Sequence, residues 1–153
     1  MKWILSLLLV PMLSAANPEL LKVKAVYLLP MASGMDQYLA NALQGGSVYV
    51  VVTDPAAADA VFTDSIGPTF EKKWKEIYPP EQAEEDEEAK PDGGPAPVST
   101  FRRGRGVVFL VERKSRQVVW STYARPKDAR PETIDKTAQE ITARLKKDLG
   151  GGK

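Results

Sequence analysis

Short β-rich runs alternate with apolar stripes at helical spacing between residues 22 and 149, and this alternation limits the fold more than any other feature. Residues 22–29 read K-V-K-A-V-Y-L-L. Lys22 and Lys24 alternate with Val23 and Ala25, then the run turns wholly apolar, as in a strand that enters from an edge and becomes buried. Pro30 ends it. Ser33 is placed to cap a helix, with Asp36 as the reciprocal acid three residues on. Met35, Leu39, Ala42 and Leu43 share one helical face, and Gly45-Gly46 stops it. Residues 48–53 form a β-branched run that fits a buried strand, broken by Asp54-Pro55. After a short connector, residues 60–63 make a third strand, and Gly67-Pro68 a turn. Phe70, Trp74, Ile77 and Tyr78 then repeat at helical spacing.

The later part of the chain changes pattern. Residues 107–112 and 117–122 are two β-rich runs separated by Arg113-Lys114-Ser115-Arg116, the spacing of an antiparallel hairpin. Pro131 suits a first helical position. Ile134, Ala138, Ile141, Leu145 and Leu149 then form a long apolar stripe closed by Gly150. The order β-α-β-β-α-loop-β-β-α predicts an α/β (α+β) chain, a small mixed sheet of about five strands with three helices. Parallel pairing is expected early, and the antiparallel hairpin late.

Residues 79–100 interrupt this pattern. They hold Glu81, Glu84, Glu85, Asp86, Glu87 and Glu88, then a Pro/Gly tether. Almost nothing there can be buried, so the backbone entropy of ordering is uncompensated. The expectation is a disordered acidic insertion within one domain that spans residues 17–150.

The first sixteen residues carry an address. Lys2 precedes an apolar run at residues 3–13 that is too short for a membrane span, which needs roughly 20 residues. Ser14 and Ala16 supply small residues at −3 and −1 of a cleavage site, the layout of a secretory leader. Residues 1–16 are thus read as a signal peptide, and the protein as periplasmic or secreted. No second apolar stretch approaches spanning length, so no transmembrane segment is expected in the mature chain. Loss of Lys2 leaves acids and bases equal in number, which gives no electrostatic case for nucleic acid.

The chain contains neither cysteine nor histidine. This excludes disulfides, amino-terminal lipidation on cysteine, Ser-His and Cys-His nucleophile systems, and zinc, haem or iron–sulfur sites with those ligands. Carboxylate chemistry, a Ser–Lys pair and oxygen-ligated cations remain. Asp54, Asp59 and Asp64 recur at intervals of five, but calcium loops need a denser pattern with a closing Glu. Turn and strand-end chemistry accounts for all three. No catalytic, metal or cofactor residue is assigned on this basis. One binding surface is. Arg102, Arg103 and Arg105 precede the hairpin and Arg113, Lys114 and Arg116 form its turn, a candidate basic patch for an envelope protein or an anionic envelope component. The bland reading is solvated turn charge. Trp74 and Trp120 read as core aromatics. Val119 and Trp120 should face opposite ways on their strand, which would leave one of them exposed on a helix-free face.

Three segments together resemble a broad group of bacterial envelope domains. They are the 48–55 run followed by Ala58-Asp59-Ala60-Val61-Phe62-Thr63, the hairpin strand ending in Trp120-Ser121, and the closing amphipathic helix at 138–149. The group includes the amino-terminal domain of the Tol-Pal propeller protein and the periplasmic part of the curli secretion channel. The resemblance covers most of residues 22–149 apart from the acidic insertion. It implies a fold and an envelope location. It transfers no catalytic residue, because the group shares none. The functional expectation is a non-enzymatic binding or assembly module; a carboxylate hydrolase and a carrier of a small apolar ligand are the alternatives.

Overall fold

Pro18, whose missing N–H costs nothing in a first turn, opens a short helix α1 (Pro18–Lys22), and the Asn17 side chain caps it by accepting from the Glu19 amide. The computed structural model describes residues 17–80 and 106–150. Residues 1–16, read above as a signal peptide, the acidic insertion from residue 81, and Arg102, Arg103 and Arg105 lie outside the described residues. Helix α1 corrects the expectation that a strand begins at Lys22. That strand, β1, spans only Ala25–Leu28. Leu20 is buried under the sheet, and tertiary packing of this residue overrides the Lys-Val-Lys alternation.

The remaining elements are α2 (Met35–Gly45), β2 (Val50–Val51), β3 (Ala60–Thr63), α3 (Pro68–Ile77), β4 (Val107–Glu112), β5 (Val118–Tyr123) and α4 (Pro131–Leu149). Their strands form one sheet in the order β2-β1-β3-β4-β5. β1 pairs in parallel with β2 and β3, whereas β3–β4 and β4–β5 are antiparallel. The α/β class, the mixed sheet and the late hairpin are as the sequence predicts, with four helices rather than three.

Strand alternation divides the core between the two faces of the sheet. Val26, Ala60, Phe62, Val108 and Leu110 point to α2 and α4, where Leu39, Leu43, Ile134, Ala138, Ile141 and Leu145 meet them. Leu29, Val61 and Val111 point the other way, to Phe70 and Trp74 of α3. The sheet therefore has helices on both faces, and the expected helix-free face is not present. Each of these large buried side chains stabilises the fold by roughly 1.5–3 kcal/mol.

Three local expectations fail. Ser33 does not cap α2; its φ is 57°, followed by Gly34 at 70°, and no side-chain cap bond forms. Instead Asp36, buried inside the first turn, accepts from the Met31 amide at 3.0 Å and so ties down the loop that enters the helix. Residues 48–53 supply only a two-residue edge strand, with Val50 59% exposed. Val119 and Trp120 are both buried, because the β4–β5 register shifts at Leu110/Val111. This irregularity turns two successive side chains toward the same interior. Trp120 is further held by its indole N–H, which donates to Asp148 of α4 at 2.7 Å. Trp74 and Trp120 are thus both core residues.

Both sheet edges are blunted by side chains. At the β2 edge, the Val51 amide donates to the Gln44 side chain. At the β5 edge, Asn17 donates to the Val119 carbonyl at 3.1 Å, and Arg144 donates to the Tyr123 carbonyl at 2.6 Å. These bonds occupy backbone groups that would otherwise template pairing with another chain.

Candidate functional site

β1 and β3 are parallel neighbours whose chains leave in opposite directions. After β1 the chain passes to α2 on one face; after β3 it passes to α3 on the other. Such a divergence opens a crevice outside the carboxyl ends of the two strands. A pocket of about 400 Å³ lies there. One wall is the β1–α2 segment with Met31, Ser33 and Met35, together with Asp64 at the end of β3. The other is Gly106–Val108 entering β4 and residues 124–129 between β5 and α4. The volume falls within the range of small-molecule sites, roughly 300–1,000 Å³.

The pocket has an apolar floor and a charged mouth. Met31, Met35, Val108 and Ala124 are buried. Asp64, Arg125, Lys127 and Asp128 stand nearer solvent. Asp64 accepts from the Ala32 amide at 2.8 Å, which ties the two segments of its wall together. Asp128 accepts from the Arg130 guanidinium at 2.8 and 3.0 Å and from its backbone amide at 3.1 Å. The Arg130 bonds hold the Asp128 carboxyl below its ordinary range. Gly106 is required at the rim, with φ at 101°. A Cβ there would come within 2.7 Å of the Arg125 Cβ.

The other two strand-end aspartates are also engaged with backbone. Asp54 accepts from the Ala56 amide at 2.9 Å, and Asp59 from both the Lys24 and Ala25 amides at 2.9 Å. The evenly spaced series is therefore a set of turn and strand-end fasteners. Among the described residues no three acidic side chains converge as metal ligands.

Of the candidate basic patch, Arg113, Lys114 and Arg116 sit in the β4–β5 turn. That turn is at the opposite end of β4 from Gly106, about 20 Å away for a six-residue strand. Two of the three cations are committed to α3. The Arg113 guanidinium lies 5.0 Å from the Tyr78 ring centre and donates to the Ala56 carbonyl. Arg116 lies 5.4 Å from the Trp74 ring centre and pairs with Glu71. Phe70, Trp74 and Tyr78 themselves form a tilted ladder, with centroids 5.3 and 4.9 Å apart. Burial pushes the Tyr78 phenol up, against the pull of Arg113. The arginines thus clip the hairpin onto the helix, while Lys114 remains exposed.

Glu112 shapes the same turn by accepting from the Lys114 and Ser115 amides. Burial raises its pKa, but the Ser115 and Lys114 bonds outweigh this and hold the carboxyl below its ordinary value. A depressed folded pKa means stability that is present above the unfolded value, about 4.3, and lost as pH falls through the folded one. Glu112→Gln is therefore expected to lower the unfolding midpoint slightly at pH 7 and to reduce its fall in acid. A thermal series from pH 7 to pH 3 on both proteins checks this; parallel acid limbs would contradict it.

Sequence pointed to Ser33, Met35 and Asp64 in other roles and to no residue of the pocket as a binding site. Residues from four separate segments compose it, and the β1–β3, β3–β4 and β4–β5 pairings together bring them to one end of the sheet. The one available signal was the apolar pair Met31 and Met35 flanking Ser33-Gly34. No protein-family model, curated protein or solved structure matches this chain.

Proposed function

We propose that this chain is an exported, non-enzymatic binding module of the bacterial cell envelope, with the pocket at the carboxyl ends of β1 and β3 as its ligand site. The observation that carries the reading is the pocket itself: a cavity of about 400 Å³ with a buried apolar floor, at the divergence of two parallel strands. The leader-like residues 1–16 and the resemblance to envelope domains support the compartment. Asp54, Asp59, Asp64 and Asp128 spend oxygens on backbone or Arg130, which favours binding over carboxylate catalysis. The cavity also favours a small ligand, as a carrier would hold, over a purely protein-mediated assembly role.

The test uses the full chain expressed with its leader in a Gram-negative host. Export predicts an amino terminus at Asn17 in the periplasmic or secreted fraction. The exported protein, immobilised and exposed to envelope extract, is expected to retain small molecules that Ala129→Trp, a change at the exposed mouth of the pocket, does not. A chain that begins at Met1 in the membrane fraction would overturn the compartment. Identical retention by both proteins would overturn the site.

A further inference from the structure

The charges around the mouth are not balanced once their own pairing is counted. Asp128 is neutralised by Arg130, one residue beyond the pocket lining. Among the described residues, Arg125 and Lys127 then face a single remaining carboxylate, Asp64, and neither cation is in an ion pair. Both cations belong to the β5–α4 wall, whereas Asp64 belongs to the β3 end. The mouth is therefore polarised across its width, with excess positive charge on one side. Beneath it lie two methionines, Met31 and Met35, whose unbranched thioethers adapt to flexible apolar shapes. Val108 and Ala124 complete an apolar floor.

Resting on the reading of this pocket as the ligand site, we propose that it takes a small amphipathic carboxylate, a short acyl chain or comparable apolar body ending in one anionic group. The apolar part lies over Met31, Met35, Val108 and Ala124; the carboxylate is held at the Arg125–Lys127 side. The tail alone gains by leaving water, and the head alone finds two exposed cations screened by solvent. Only a molecule with both parts spans floor and mouth. Charge-assisted hydrogen bonds of this kind distinguish the acid from the matching alcohol by about tenfold in affinity.

The experiment titrates the exported chain with octanoate, octan-1-ol and acetate at low ionic strength, following amide resonances and heat. Octanoate is expected to shift Met31, Ala32, Val108 and Ala124 and to bind about tenfold more tightly than octanol, with acetate giving no saturable shift. The double variant Arg125→Gln/Lys127→Gln should bring octanoate down to the affinity of octanol. Asp64→Asn, whose side-chain oxygen still accepts from Ala32, should tighten octanoate and leave octanol unchanged. Equal affinity for octanoate and octanol would overturn the anion preference while leaving the pocket as a site. So would octanoate binding that the double variant does not weaken. Saturable shifts clustered away from these residues, or no binding of any of the three, would overturn the inference. In the latter case, extract molecules retained by the parent and lost in Ala129→Trp would still uphold the pocket, so the two failures are distinguishable.

Discussion

Ile141→Asp is expected to abolish cooperative folding. Ile141 is wholly buried in the middle of α4, between Ala138 and Leu145, where the helix packs on α2 and the sheet. The substitution removes an apolar side chain and puts a carboxylate in its place. Among the described residues no lysine or arginine is buried, and Ile141 shares its cluster with Leu39, Leu43, Phe62 and Leu110. An unpaired buried charge costs several kcal/mol even after its pKa shifts to keep it neutral, and the whole stability of a small domain is about 5–15 kcal/mol. The lost apolar packing adds about 2–5 kcal/mol more. Circular dichroism and a thermal melt check this directly. A soluble variant that melts cooperatively near the parent would mean that α4 presents another face to the sheet.

That prediction rests on a feature the sequence states plainly. The α4 stripe has spacings of four, three, four and four, with Pro131 before it and Gly150 after it, and every level of local chemistry agrees. The same is true of β3, β4 and the apolar face of α2. Legibility fails where a single tertiary contact outweighs local pattern. Asn17 and Pro18 form a helix start that short apolar segments do not advertise, and Leu20 becomes buried only because β5 and the sheet are already there. Val50 belongs to a β-branched run, yet among the described residues no strand pairs beyond β2, which is an edge. The opposite placement of Val119 and Trp120 was a sound inference from strand alternation, and a one-residue register shift undid it.

The candidate site was less legible than the fold. Adjacency of charge in sequence does not reveal what each cation packs against. Arg113 and Arg116 are drawn onto Tyr78 and Trp74, residues some forty positions away. The pocket is assembled from backbone divergence rather than from a motif. Its residues are ordinary in type, among them methionine, alanine, valine, serine, two aspartates, one arginine and one lysine. Their significance comes from being brought to one end of the sheet, which depends on the strand order β2-β1-β3-β4-β5.

Trp74→Ala is expected to release α3 from the sheet before the rest of the molecule unfolds. The two sides of the sheet are unequally provided. The face under α2 and α4 holds the larger buried cluster, whereas the α3 face has Leu29, Val61, Phe70, Trp74 and Val111. Trp74 is the centre of that smaller cluster. It touches Phe70 and Tyr78 in the aromatic ladder and lies under the Arg116 guanidinium. Truncation removes most of its apolar area, breaks both ring contacts and leaves Arg116 only its partly exposed pair with Glu71. Loss of a buried tryptophan side chain costs about 3–5 kcal/mol. Charge at the exposed Arg116–Glu71 pair recovers little of this, since such pairs contribute about 0–1 kcal/mol. The loss falls almost entirely on α3, so its amides should lose protection selectively in hydrogen exchange, while those of α4 and of β1, β3 and β4 stay slow. The Arg116→Gln variant should show the same pattern more weakly, because it removes the cation over the ring and keeps the apolar contacts. Uniform loss of protection across both faces in Trp74→Ala would mean that the two clusters unfold as one cooperative unit.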